Sequence, residues 1–102
     1  MRRRLVKENA AEEDLIEIWV YTFQTWGEPQ ADKYLDQLAI GIAAIANDPA
    51  SGRDRGAVRA GYRSISVGRH VVFYTFNDEE VRVRRVLHDA MDFETHLPGD
   101  DA

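Results

Sequence analysis

A chain of 102 residues with 44% apolar content can build one hydrophobic core and is too short for two, so we expect residues 1–102 to form a single domain with a flexible tail at 97–102. The absence of cysteine excludes disulfides, thiolate metal ligands and cysteine nucleophiles, and His70, His88 and His96 lack metal-ligand spacing, so we expect neither metal nor cofactor. The lack of a long apolar run, and an N-terminal sequence that turns acidic after Lys7 where a signal peptide needs an apolar stretch, favour a soluble cytoplasmic protein without membrane contact.

The first half of the chain predicts one short strand and two helices. RRLVK, at residues 3–7, has the composition of a strand, and Asn9 followed three residues later by Glu12 resembles a capping box. Helical spacing predicts a first helix from about Ala10 to Trp26, with a core face of Leu15, Ile18, Trp19, Phe23 and Trp26. Gly27 is typical of the end of this helix, and Pro29 is typical of the first turn of a second helix, which should end near Asn47. The core face of the second helix should contain Ala31, Tyr34, Leu35, Leu38, Ile42 and Ile45. The short connection predicts an antiparallel helical hairpin.

After a stretch of turn formers, NDPASGRDRG at residues 47–56, the pattern changes to a period of two. GYRSISV alternates, Gly68 and Arg69 suit a two-residue hairpin turn, and HVVFYTF is typical of a central strand. EVRVRRVLH should form the last strand, with Val81, Val83, Arg85 and Leu87 on one face and Arg82, Arg84, Val86 and His88 on the other. MDFETHL predicts a frayed turn of helix. The order β-α-α-β-β-β with a short C-terminal helix predicts an α+β fold, in which the helical hairpin packs on a small, mainly antiparallel sheet.

Charge is segregated along the chain. Residues 8–48 carry nine acidic residues against Lys33 alone, residues 53–85 carry eight arginines against four acidic residues, and every cation after Lys33 is an arginine. Because the guanidinium fork matches carboxylates and phosphates, this pattern favours recognition of an anionic surface; a solvated sheet face that balances acidic helices explains it equally well. The basic start at Arg2, Arg3 and Arg4 is typical of a solvated strand end, so we expect no sequence-specific nucleic-acid binding.

Several segments occur together in one order: AEEDLIEIWVYTFQTWG, QADKYLDQL, NDPASGR, VRAGYRSISVGRHVVFYTF and VRVRRVLHDAMD. In this combination the chain resembles the ParE toxins of the RelE/ParE superfamily, and the resemblance covers nearly its whole length. It implies a RelE/ParE-like fold, which agrees with the element order above. It also implies the toxin of a bacterial type II toxin–antitoxin module, held inactive by a ParD-like antitoxin and acting on DNA gyrase.

The superfamily also includes RelE-like ribosome-dependent mRNA endonucleases, for which the catalytic candidates here are Arg63, Arg85 and His88. The imidazole can serve as base or acid, and the guanidinium groups can hold the phosphate. The residues after Arg85, however, include no Lys, Arg or Tyr and several acids that repel a scissile phosphate, namely Asp89, Asp92 and Glu94. We therefore expect no catalytic residue and no enzyme activity; a non-toxic antitoxin-binding module is the remaining alternative.

Structural roles account for part of this charged set. We expect the Arg85 stem to be buried and its head to pair with Asp14 or Asp92, and His88 to be a hydrogen-bonded residue at a strand end. An acidic antitoxin segment, disordered when free, should lie against the arginines of the sheet. The candidates for binding antitoxin or target are Arg59, Arg63, Arg69, Arg82 and Arg84.

Overall fold

A computed structural model describes residues 3–97 and shows an α+β fold. Strand β1 (Arg4–Lys7) leads into two long helices, α1 (Asn9–Trp26) and α2 (Glu28–Asn47). A 3₁₀ turn at Pro49–Ser51 then precedes the two-residue strand β2 (Arg53–Asp54). The chain continues with β3 (Arg63–Val67), β4 (His70–Phe76), β5 (Glu80–His88) and a final turn of helix, α3 (Phe93–His96). The predicted order of helices and longer strands is thus confirmed. The two-residue strand β2 was not predicted, because turn-forming residues surround it in the sequence.

The five strands form one sheet in the order β1-β5-β4-β3-β2. The pairs β2–β3, β3–β4 and β4–β5 are antiparallel, and β1 pairs with β5 in parallel. Strand β4 is central, as predicted, and the Gly68–Arg69 turn joins it to β3, with Gly68 at a φ of +57° that favours glycine. Within residues 3–97, no helix is both long and apolar enough to cross a bilayer.

The helical hairpin covers one face of the sheet and forms the main core with it. Gly27, at φ +93°, ends α1, and Pro29 stands in the first turn of α2, as expected. The predicted capping box is wrong: Glu8 is the N-cap residue and Asn9 is already helical, so the Asn9 side chain cannot cap. The cluster between the two layers contains Ala11, Ile18, Leu38, Ile42, Ile45, Val72, Tyr74, Val81, Val83 and Val86.

Part of the predicted core face of α1 lies at the surface. Trp26 is 71% exposed and Phe23 44% exposed, and Trp19 is only partly buried. Phe23 comes five residues after the buried Ile18, which places it roughly 140° around the helix and away from the sheet. Trp26 is the last residue of α1, where helical spacing continues but packing does not. The prediction that both tryptophans belong to the core is wrong for Trp26.

A β-bulge in β5 changes which side chains face the helices. Tyr74 pairs with Val83 and Phe73 with Arg85, so Arg84 has no partner in the register. The extra residue shifts the alternation by one position. As a result Val86 packs in the core beneath the helices and Leu87 on the opposite side, the reverse of the predicted arrangement.

The outer face of the sheet, opposite the helices, carries a second and smaller core. Residues 55–62 and α3 fold over it, and its buried members are Tyr62, Val71, Phe73, Leu87 and Leu97. Arg55 closes this cluster from outside, with its guanidinium 5.7 Å from the centre of the Phe73 ring. Leu97, the first residue of the predicted tail, is 4% exposed in this cluster, and positions 98–102 lie outside the described residues.

Candidate interaction site

Arg82 and Arg84, which we call the outer arginine pair, lie on the outer face of β5 and bind acidic side chains of the same chain. Arg82 Nη2 donates to Glu80 Oε2 at 2.8 Å, and its Nη1 lies 3.5 Å from Glu8 Oε2. Arg84 Nε donates to Glu8 Oε1 at 2.8 Å. Hydrogen bonds from Arg4 and Arg82 lower the pKa of Glu80. The pair therefore sits in a shared carboxylate network.

That network is open to solvent on the side away from the sheet. The side chain of Arg82 is 38% exposed and that of Glu8 is 30% exposed, while Arg84 is more enclosed because its guanidinium lies 5.3 Å from the centre of the Tyr62 ring. Exposed ion pairs contribute only about 0–1 kcal/mol each. The Arg82–Glu8 pair is of this kind, whereas the side chain of Glu80 is 15% exposed and more enclosed.

The remaining predicted binding arginines are not brought into the same patch. Arg59 Nη2 donates to the Glu94 carbonyl at 2.9 Å, and Arg63, on the helix side of β3, donates from Nη1 to the Gly52 carbonyl at 2.8 Å. Arg69 is exposed in the β3–β4 turn, and its guanidinium has no hydrogen bond or ion pair within residues 3–97. Within residues 3–97, Arg59, Arg63 and Arg69 thus share no hydrogen-bond or ion-pair partner with the outer arginine pair.

Arg85 is fixed by a two-point ion pair with Asp14 of α1, which confirms one of the two predicted partners. Arg85 Nε lies 2.7 Å from Asp14 Oδ2 and Nη2 lies 2.9 Å from Oδ1. Asp14 Oδ2 also accepts the Val86 backbone N–H at 2.9 Å, and Arg85 Nη1 donates to the His96 carbonyl at 2.8 Å. The bond to Asp14 raises the pKa of Arg85. Helix α1, strand β5 and α3 are joined through this guanidinium.

The end of β5 forms a corner with the β3–β4 turn and α2. His88 Nδ1 accepts the Ala90 N–H at 3.1 Å, as expected for a hydrogen-bonded strand-end residue, and its ring stands edge-on to His70 with centroids 5.4 Å apart. His70 Nδ1 lies 2.6 Å from the Tyr34 hydroxyl, which accepts the Arg69 backbone N–H at 3.1 Å. Burial lowers the pKa of His70, and the neighbouring His88 lowers it further; burial raises the pKa of Tyr34.

Of the three candidates for a RelE-like reaction, Arg85 and His88 line one cavity, but Arg63 lies apart from them. Arg63 pairs with Tyr74 and His88 with His70, so they stand four residues apart along β4, roughly 13 Å by strand geometry. The Arg85 guanidinium is already bound by Asp14. No group of three or more candidate metal ligands comes together in the part of the chain that the structure describes.

Two open cavities of about 200 and 420 Å³ meet at the His70–His88 corner. Both are lined by Tyr21, His70 and His88, and the larger one is also lined by Trp26 and Tyr34. Tyr21 was not predicted as a site residue, although it falls off the core face of α1 and its 68% exposure is unusual for an aromatic side chain. Tyr34 was predicted to lie in the core, and no feature of the sequence indicates where its hydroxyl group lies.

Comparison with solved structures defines the fold class. The chain superposes on a structure described as the chromosomal ParDE TA system from P. aeruginosa with a TM-score of 0.76, covering 85% of this chain and 96% of that one at 16% identity. The helical hairpin on a mixed five-stranded sheet is therefore a ParE-like fold.

Sequence comparison identifies the family. Residues 5–93 match the family model described as "ParE toxin of type II toxin-antitoxin system, parDE". Toxin ParE1 of Mycobacterium tuberculosis is 40% identical over 98 residues, which span 95% of this chain and all of that protein. Toxin ParE1 of Caulobacter vibrioides is 42% identical over 87 residues, covering 85% and 90%. The chain belongs to the ParE toxin family of type II toxin–antitoxin systems.

Proposed function

We propose that this protein is a toxin that is neutralised by a ParD-like antitoxin, and that it acts in the cytoplasm by inhibiting DNA gyrase. The observation that carries the proposal is the family match over residues 5–93, together with relatives named Toxin ParE1 that align over nearly the whole chain. Gyrase is the target that the family resemblance implies. The protein would act by binding, without a bond-breaking step of its own.

The outer arginine pair supports a specific mode of antitoxin recognition. Arg82 and Arg84 are held by Glu8 and Glu80 in the free protein, so their geometry is already ordered. A flexible antitoxin segment with acidic side chains can take over these bonds, and the ordered guanidinium groups reduce the conformational entropy lost on binding. Charge complementarity between the guanidinium groups and the acidic segment then increases the rate of association. It also fixes the register of the segment on the toxin.

The decisive experiment is a supercoiling assay with purified gyrase, scored for trapped double-strand cleavage with and without this protein. We expect loss of supercoiling and accumulation of cleaved DNA, both reversed by an equimolar ParD-like antitoxin. A parallel assay on translating ribosomes, with a His88→Ala variant beside the wild type, tests for RelE-like mRNA cleavage.

Three outcomes separate the alternatives. The protein could be inactive in the gyrase assay and cleave transcripts only when His88 is present. That result would support a nuclease function in place of gyrase inhibition. Harmless expression in cells without antitoxin, with folded protein confirmed by circular dichroism, would favour a module that only binds the antitoxin. Gyrase poisoning that the antitoxin reverses supports the proposal as a whole.

A further inference from the structure

A ridge of apolar side chains on α1 faces away from the sheet. Ile16, Val20 and Phe23 are 63%, 40% and 44% exposed. They follow one another at intervals of four and three residues, so they lie on one face of the helix. Ile18, on the opposite side, is buried in the main core. Burial within this domain therefore does not explain the ridge.

The aromatic member of the ridge is held in a fixed position. The Trp19 ring stacks on Phe23 with centroids 5.1 Å apart and planes 9° from parallel. Trp19 is fixed in turn by a hydrogen bond of 3.0 Å from its Nε1 to Asp32 Oδ1 in α2. An aromatic ring that is ordered before contact loses little freedom when a partner covers it, which is a property of binding anchors.

The charged residues that α1 itself places around the ridge are all acidic. Glu12, Glu13 and Glu17 are exposed and lie within about one helical turn of ridge residues, and α1 contains no Lys or Arg. A second copy of the same face would bring these carboxylates against each other, and so would an acidic antitoxin segment. Charge complementarity requires a basic partner.

We propose that Ile16, Val20 and Phe23 dock a helical segment of a partner protein that carries apolar residues at matching spacing and Lys or Arg beside them. This surface lies on the helix side of the molecule, whereas the outer arginine pair lies on the opposite face of the sheet. An acidic and a basic partner can therefore be bound at the same time.

The test uses the full chain and three synthetic helical peptides labelled for fluorescence anisotropy. The first carries a Leu stripe with Lys flanks, the second the same stripe with Glu flanks, and the third Lys flanks with Ser in place of Leu. We expect the first peptide to bind, and the other two to bind at least tenfold more weakly. Affinity for the first should fall as salt is raised.

Variants of the protein locate the site. Phe23→Ser and Ile16→Ser should each weaken the Leu–Lys peptide roughly tenfold, because each removes an apolar anchor. Met91→Ser, which alters an exposed apolar residue beyond the end of β5, should leave it unchanged. Two separate ridge variants keep the test valid if loss of the Trp19 stack unfolds one of them.

Failure to bind the Leu–Lys peptide, equal binding of the Glu-flanked peptide, or unchanged affinity in both ridge variants would each overturn the docking surface. None of these measurements uses gyrase or an antitoxin. A negative result here leaves the proposed function standing, and a failed gyrase assay leaves this surface standing.

Discussion

Strand β5 places its arginines in two different carboxylate sites. Arg85 meets both oxygens of Asp14 and also donates to a backbone carbonyl. Arg82 and Arg84 share the more exposed carboxylate of Glu8. The burial of the shared carboxylate, more than the position of a guanidinium in the strand, separates an ion pair that belongs to the fold from one that can exchange with another molecule.

Asp14→Ala should give the largest effect on stability. The substitution leaves the Arg85 guanidinium without its carboxylate and the buried Val86 N–H without an acceptor. We expect a loss of about 3 kcal/mol in the free energy of unfolding, measured by urea denaturation. Asp14→Asn keeps an acceptor and should lose less. A loss below about 1 kcal/mol in Asp14→Ala would remove the distinction between the two carboxylate sites of β5.

Charge reversal of the outer arginine pair tests the more exposed carboxylate site. The double variant Arg82→Glu with Arg84→Glu should weaken the complex with a ParD-like antitoxin by roughly 100-fold and make its affinity less dependent on salt. Arg53→Glu, in β2 at the far edge of the sheet, is the matched control, because it reverses the charge of an exposed arginine away from the pair. Isothermal titration at several salt concentrations measures both quantities. An equal loss per reversed charge in the control would show that only overall charge matters.

Local features of the fold were predictable from the sequence, whereas features that depend on packing or strand pairing were not. Helix ends were predictable because Gly27 and Pro29 act through local backbone geometry. The Asp14–Arg85 pair was one of two predicted options, and choosing between them required the packing of α1 against β5. The bulge at Arg84 was not predictable, since it depends on how β4 and β5 pair and not on the residue type.

The exposed aromatic residues of α1 show a second limit of sequence patterns. Helical spacing alone placed Phe23 and Trp26 in the core, although an aromatic residue at the margin of an apolar stripe fits either side. The excess of arginine predicted an anionic partner but not which arginines share a patch, because strand register decides that.

The corner at the end of β5 should give stability a pH dependence. Because burial lowers the pKa of folded His70 below its ordinary value of about 6.5, the unfolded chain binds more protons between the two values. The contribution of His70 to the free energy of unfolding is therefore fully present above about pH 6.5. It is lost as the pH is lowered toward the folded pKa. One proton gives a slope of at most about 1.4 kcal/mol per pH unit.

Urea denaturation between about pH 7.5 and 5.5 measures this slope, within the range where histidine titrates. The charged or titratable groups around His70 include His88, Asp89, Asp14, Glu17, Tyr21, Tyr34, Arg69 and Arg85. His70→Gln should flatten the dependence, and His96→Gln in α3 should preserve it. A slope that survives His70→Gln would place its origin outside the corner.

Glu8→Ala should give the smallest change in stability and the most informative contrast with Asp14→Ala. Glu8 also binds arginines of β5, but its side chain is 30% exposed against 11% for Asp14, so its removal should cost less than about 1 kcal/mol. Without Glu8, Arg84 loses its acidic partner and becomes free to bind another carboxylate. Affinity for a ParD-like antitoxin should therefore rise a few-fold, as measured by the same titrations. Weaker antitoxin binding in this variant would mean that Glu8 orients Arg84 for the partner more than it competes with it.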